Sequence, residues 1–592
     1  MLLTRSLYNP ALLRSDLRRC WPLLGGYTLL WLLILPMNLW RNLTETAPEF
    51  FRQTIERILS NALAISVWFN LLAGIVLAAA LFSYLSSTRA TYGLHSFPLS
   101  RSCQYRTHVL CGVGGVLCGD VVVFLLTVLA QAGRGVLWGE SLTWLLSTVV
   151  MFLLFFALGV LCCTLTGWLP AALVAYAGAN CVAVLARLLM SALCDIFYPS
   201  YNGSLLDLSG NDIVTWLTPV MRLNRSFGGG TIIYRTSNVN DTFVSTEAWV
   251  TMLVYGLVAV GLLMTSCVLC RIRRSERSGD TLAFKPLQPV VRWLVGLLGG
   301  LGLGLFFAML FGHTNALGTL LACTVLLGLV CMTGSQMLIA KTPRVFKKIW
   351  PELIILCVII TGILLSMKAD VFGYESRIPK ADQVQTVRIY TNSQTGDCVT
   401  GDPSEIAAVI EAHKYFQSRT DNADGFIGRP ITFSYVMEDG RVFTRRYDLR
   451  SDDQKNILPM LETDSFRRSM VMDENSGLTL SDIQAGYYDL GKGGIKQDTL
   501  SQEQCRALYK AILEDAAAMD MSAVDLYGQE RCNLAIHLQN FQGNVFADLF
   551  LNTQCTRTLQ LLQDWDIIEN AEEIFNQTYE ESADNVGIVA YE

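Results

Sequence analysis

The sequence predicts an α-helical polytopic membrane protein of about nine spans, N-terminus inside, with a C-terminal α+β extracytoplasmic domain built from an internal repeat. Three observations lead there. Nine apolar runs of bilayer-crossing length fill the first 368 residues. Charge divides sharply between two halves, and a hairpin-like pattern recurs 103 residues apart in the second half. At 592 residues, 52% hydrophobic and 16% charged, the chain is too apolar for one soluble domain.

The net charge of −6 conceals the division. Residues 370–592 carry 19 basic and 37 acidic side chains, which leaves 26 basic and 14 acidic before them. Halves of such opposite sign belong in two environments. Thirteen of the seventeen cysteines precede residue 370, most of them in apolar runs, where Cys packs as a small hydrophobe. Cys267 and Cys270 form a lone C-x-x-C with no second pair and no nearby His. Cys398, Cys505, Cys532 and Cys555 lie in the acidic half, and four thiols allow three pairings, among which the sequence does not choose.

Taken in order, Asn9 and Pro10 give a helix cap followed by proline at the first helical position. Leu13 and Leu17 then oppose Arg14, Arg18 and Arg19. This pattern reads as a short amphipathic helix over residues 1–20 lying along the inner membrane surface, or as a charged flank that only sets topology. The next apolar run is about 20 residues long and lacks a small-residue cleavage site, which predicts a retained span. The nine spans are expected near 21–40, 63–85, 108–130, 143–168, 169–193, 249–270, 290–311, 317–340 and 349–367. Each approaches or exceeds the ~20 residues that cross a ~30 Å hydrocarbon core. Only Gly167, Trp168 and Pro170 separate the fourth from the fifth.

Lys and Arg concentrate in alternate connections, and that asymmetry sets orientation. One side collects Arg5, Arg14, Arg18, Arg19, Arg89, Arg101, Arg106, Arg271, Arg273, Arg274, Arg277, Lys285, Lys341, Arg344, Lys347 and Lys348. Nine spans with this side cytoplasmic put the acidic half outside. Residues 195–247 form a long outer connection whose DIVTWLTPVMRL stretch is amphipathic. In the seventh span, Gly296, Gly300 and Gly304 stand four apart, as close helix packing requires; intrachain packing is the preferred reading over a dimer seam. Asp120 and Arg187 are charges inside spans, which cost several kcal/mol unless paired or hydrated. An ion pair between them, a water-lined path and snorkelling are the three readings.

In the acidic half, 431–449 alternates apolar and polar residues about Asp439 and Gly440, as a β-hairpin does. Residues 534–551 repeat the pattern. Each hairpin follows a helix with a capping-box start, Asp402 with Glu405 and Ser501 with Gln504. The two hairpins are expected to share one antiparallel sheet with helices on one face. Gly486–Gly493, GYYDLGKG, nearly fits the phosphate-loop pattern but lacks the final hydroxyl residue, and reads as a glycine-rich turn. No hydrolase or zincin motif is present, the five His are scattered, and the large acidic region repels nucleic acid. The chain is therefore expected to be no enzyme, to hold no cofactor or metal, and to hydrolyse no ATP itself.

One stretch ties these features together. Residues 87–106, polar, basic and broken by Gly93 and Pro98, connect the second and third spans. Phe97 and Leu99 offer a small apolar plug, Pro98 a fixed bend and Arg101 a charge suited to an acidic rim. The segment LHSFPLSR, Leu94–Arg101, resembles the short leucine-, proline- and arginine-bearing signature after the second span in the permease subunits of type 2 ABC exporters. The segment TWLTPVMRL, Thr215–Leu223, resembles the proline-bearing stretch before their last span.

The resemblance implies a cytoplasmic interface helix over 1–20 and a six-span permease core over 21–272. It also implies an ATPase-coupling helix bearing Tyr92, His95, Phe97, Pro98, Leu99 and Arg101. The implied partners are a separate cytoplasmic ABC ATPase subunit, a second permease half from a homodimer or another subunit, and the lipid bilayer of a bacterial cell. The additional spans, 273–368, and the domain 369–592 resemble extended bacterial permeases with an extracytoplasmic module. The expected cargo is a peptide, drug or lipid. A membrane sensor whose outer domain binds a ligand is the alternative.

Overall fold

A computed structural model describes residues 8–203, 213–227, 245–311, 316–391, 397–419, 429–472, 480–481, 483–490, 497–524, 534–540 and 546–568. The protein is a multi-pass membrane protein. Among the described residues, nine helices are long and apolar enough to cross a bilayer. They are Pro10–Glu45, Pro48–Ser86, Arg101–Ala130, Trp138–Leu165, Leu169–Phe197, Thr246–Ile272, Leu287–Leu310, Leu317–Ala340 and Ile349–Lys368. The chain forms two compact units, Met1–Ala192 with Leu205–Leu365, and Leu193–Ser204 with Ser366–Glu592.

In the first unit, the Asn9 side chain accepts hydrogen bonds from the N–H groups of Ala11 and Leu12, both at 3.0 Å, and Pro10 opens the helix. The sequence leaves residues 1–20 as a surface helix or as a charged flank of the first span; among the described residues they form no separate helix. The helix Pro10–Leu32 runs without a break into the first span. The reason lies on the third span. Asp16 is buried against His108 Nδ1 at 2.7 Å, and the Asn9 N–H donates to Thr107 Oγ1 at 3.0 Å, so polar residues intended for water meet a neighbouring helix. A π-helical turn, Leu33–Met37, absorbs Pro36, which has no N–H to donate.

The seventh and eighth spans close on one another through small residues. A Cβ at Gly300 would lie 2.6 Å from Gly328 Cα, and one at Gly304 would lie 2.5 Å from Thr324 Cα. The glycine row is thus consumed inside the chain, the preferred of the two sequence readings. Arg292 fastens the same three-helix group, reaching Gln336 Oε1 at 2.6 Å on the eighth span and Glu352 at 2.5 Å at the start of the ninth. The amphipathic stretch between the fifth and sixth spans forms two short helices, Ile213–Leu217 and Pro219–Phe227. Arg222 is buried there, over the Trp216 ring and 2.9 Å from Glu247.

Among the described residues of the second unit, eight strands form two four-stranded antiparallel sheets. The first holds β1 (Val384–Thr391), β2 (Cys398–Thr400), β3 (Arg429–Met437) and β4 (Val442–Leu449), in the order β2-β1-β3-β4. The second holds β5 (Ile483–Leu490), β6 (Gln497–Leu500), β7 (Leu534–Asn540) and β8 (Phe546–Leu549), in the order β6-β5-β7-β8. The expected hairpins are β3/β4 and β7/β8. They do not share a sheet; each pairs instead with its own preceding strand.

The duplication is deeper than the hairpins. Register shifts between Val384 and Thr386 in β1, and again between Ile483 and Ala485 in β5, each beside the end of the neighbouring hairpin strand. Each shift lies at the start of its strand and leaves the remaining residues in regular register with the neighbouring strand. Residues 486–490 of the GYYDLGKG stretch lie in β5 between antiparallel neighbours, and 491–493 fall outside the described residues. A phosphate loop must open a helix, so the reading as a simple turn is corrected in part and the phosphate-loop pattern finds no scaffold.

Helices Pro403–Ser418 and Gln502–Ala518 bury Ile406, Val409, Ile410 and Phe416 in one repeat and Cys505, Leu508, Ile512 and Ala516 in the other. Ser501 and Gln504 form the reciprocal capping box. In the other repeat Asp402 caps Ser404 N–H at 2.7 Å, but Glu405 turns away to Thr400 and to the Ser465 N–H. Cys398, Cys505 and Cys555 are buried, and Cys532 lies outside the described residues. The same unit takes in the turn after the fifth span. The Ser200 N–H donates to Glu375 Oε1 at 3.1 Å, the Arg446 N–H donates to the Ser200 carbonyl at 3.0 Å, and Arg445 sits between the Tyr374 and Phe443 rings.

Candidate coupling site

The stretch after the second span folds as a short helix, Thr88–His95, followed by a tight turn in which the Leu99 N–H meets the Phe97 carbonyl at 2.7 Å. Ser100 then caps the third span, accepting from the Cys103 N–H at 3.2 Å. Thr91 fixes the helix from beneath. Its hydroxyl lies 2.7 Å from the Tyr84 carbonyl and 2.9 Å from Ser278 Oγ, and it is fully buried.

Mounted this way, the segment turns Tyr92 and Phe97 outward, 52% and 58% exposed, with Pro98 exposed between helix and turn. Arg89, three residues before Tyr92 and therefore on the same helix face, is exposed as well. Leu99 is half-buried, so the outward apolar surface is Tyr92 with Phe97 rather than Phe97 with Leu99. His95 is half-buried and its Nδ1 lies 3.1 Å from Ser275 Oγ. Burial, and then the nearby Arg101 and Arg273 cations, hold this imidazole below its ordinary pKa.

Arg101 departs from the expected role of an outward charge. Its guanidinium faces inward, donating to the Arg273 carbonyl at 2.5 Å, to the Arg271 carbonyl at 3.4 Å and to Ser275 Oγ at 3.1 Å. These carbonyls close the sixth span, where the helix dipole concentrates negative partial charge and a cation is favoured. Arg273 repeats the device on two other helices. Although buried, it donates to the Cys163 and Thr164 carbonyls at 3.0 and 2.9 Å, ending the fourth span, and to the Leu85 carbonyl at 2.9 Å, ending the second. Two arginines thus gather three helix ends beneath the exposed surface. Arg273 carries no motif; its place just beyond an apolar run is its only sequence signal.

The intramembrane candidates are not brought together. Asp120 is completely buried, and its Oδ1 lies 3.1 Å from the Tyr27 hydroxyl, which is also 3.1 Å from Asn70 Oδ1. A phenol has one proton to give. If Asp120 accepts it, Asn70 is assigned with its amide nitrogen toward the phenol oxygen. Tyr27, Asn70 and Asp120 come from the first three spans, so this is a three-helix polar contact in the bundle core. Arg187, half-buried on the fifth span, is not among the partners of Asp120 within the described residues. The buried Asp16–His108 contact, also between spans, joins residues 92 apart whose proximity no local pattern announces. The chain matches no protein-family model, no curated protein and no solved structure.

Proposed function

We propose that this protein is the permease subunit of an ATP-driven exporter, and that a separate ATPase subunit docks on Tyr92, Phe97 and Pro98. The observation that carries the reading is the exposed aromatic pair, Tyr92 on a short helix that is locked from beneath and Phe97 in the turn that follows it. An apolar anchor on a rigid mount transmits force, whereas a flexible loop dissipates it. The exposed Arg14, Arg18, Arg89, Arg106, Arg274, Arg344 and Lys347 belong to the connections and helix ends on the same side as this helix. That charge bias supports a cytoplasmic face, with the N-terminus inside and the acidic domain outside. The cargo, a peptide, drug or lipid, would move between two such bundles from a homodimer or a paired subunit.

The reading is tested by purifying the protein from its native host. An ATPase should accompany it, and Phe97→Asp should release that ATPase while Arg344→Glu, on a neighbouring exposed turn, should not. If no ATPase accompanies the wild type, the reading fails. A ligand-sensing role for the second unit is then favoured, since that unit incorporates the turn after the fifth span through Ser200, Glu375 and Arg446.

A further inference from the structure

The segment that follows the sixth span does more than lead into the seventh. On one side it meets the docking helix, through Thr91 with Ser278 at 2.9 Å, His95 with Ser275 at 3.1 Å, and Arg101 with the Arg273 carbonyl at 2.5 Å. In its middle it pairs with the turn between the fourth and fifth spans. The Gly167 N–H donates to the Asp280 carbonyl at 2.9 Å, the Gly279 N–H returns a bond to the Gly167 carbonyl at 2.6 Å, and the Ala283 N–H reaches the Leu165 carbonyl at 2.9 Å. A Cβ at Gly167 would stand 2.2 Å from the Arg277 carbonyl oxygen, so the two backbones touch there.

On its other side the segment holds the end of the eighth span. Thr281 Oγ1 donates to the Leu338 carbonyl at 2.9 Å, and Lys341 Nζ donates to the Gly279 carbonyl at 2.7 Å and lies 3.6 Å from Asp280. Lys341 has φ of 55°, the left-handed conformation that closes helices and favours glycine. A lysine there bears a conformational cost, and its side chain makes the tie that glycine has no atoms to make.

We infer that residues 273–283 form a strap uniting the docking helix and the end of the eighth span into one mechanical body. This rests on the docking surface proposed above, and it adds that a partner seated on Tyr92 and Phe97 acts on the three additional spans as well as on the first six. The additional spans are then part of the response to the ATPase and not a passive anchor for the second unit. A connection that merely passed by would be tied on one side.

The test is hydrogen–deuterium exchange on the full-length protein in detergent micelles, with no partner present. The double variant Lys341→Met/Thr281→Val removes the ties to the eighth span, all of them at the surface. If the strap unites both ends, exchange rises about tenfold in peptides covering 275–283 and also in those covering 88–96, more than 170 residues away in sequence. Thr281→Val alone gives the same pattern at smaller amplitude, and Phe97→Ala, which changes only the exposed surface, changes neither peptide. An increase confined to 275–283 and 338–346 overturns the inference. Absence of a bound ATPase on the wild type would defeat the docking reading and leave this exchange result to decide the strap separately.

Discussion

Acid should loosen the first repeat of the second unit, and the reason is one histidine. His413 is fully buried on helix Pro403–Ser418, stacked on Phe433 and Tyr435 at 20° to each ring. Its Nδ1 meets the Tyr435 hydroxyl at 3.0 Å, and its Nε2 has no acceptor among the described residues. Burial, with the Arg445 cation second, pushes its pKa down to about 4 from an ordinary 6.5. Arg445, Tyr435 and Tyr447 are the titratable groups packed around it, and none supplies a carboxylate.

The sign follows from proton counting. Above pH 6.5 neither folded nor unfolded chain protonates this residue, so stability is unaffected. Between 6.5 and about 4 the unfolded chain binds a proton that the folded one refuses, so stability falls by about 1.4 kcal/mol per pH unit. The loss reaches about 2 kcal/mol at pH 5 and levels off near 3 kcal/mol below pH 4. The assay is hydrogen exchange of peptides within 403–418 and 431–449 in the full-length protein, corrected for intrinsic rate, from pH 7.5 to 5. Ile512 holds the matching helix position in the other repeat, so His413→Ile should remove the acid sensitivity from these peptides. If the wild type shows no pH dependence, or His413→Ile retains it, the reasoning is wrong.

Three further outcomes are expected. Arg273→Met leaves three helix-end carbonyls without their donor and should lower stability by about 2–4 kcal/mol, read as a fall in thermal midpoint, while Arg274→Met, at an exposed neighbour, should change little. Gly300→Val places a side chain against the eighth-span backbone and should cost about 1–3 kcal/mol or abolish the folded fraction, as judged by gel filtration in detergent. Asp439, exposed at the tip of the β3/β4 hairpin, should as Asp439→Cys react with an impermeant maleimide on intact cells. Protection there would reverse the orientation.

Spans are legible because length and hydropathy are local properties; all nine fall on helices, and even the slight break at Gly167 marks a true helix boundary. The hairpins β3/β4 and β7/β8 are legible for the same reason. What escapes a linear reading depends on distant partners. Residues 10–20 look amphipathic because Leu13 and Leu17 stand apart from the arginines; that Asp16, on the side away from Arg14 and Arg18, meets His108 is visible only in the fold. Arg101 is readable as important and unreadable as to role, because two of its three partners are backbone carbonyls, which have no residue identity to recognise. The same holds for Arg273, the residue on which the site most depends.

The proposed coupling puts Phe97 in contact with an ATPase. Replacing Phe97 by a photoreactive phenylalanine analogue in the native host, and illuminating intact membranes, tests it at the residue itself. A crosslinked partner carrying a phosphate-binding loop, lost when the analogue is moved to the half-buried Leu99, is the predicted result. Crosslinks only to lipid or to this chain, at a position 58% exposed, would show that Phe97 meets no ATPase.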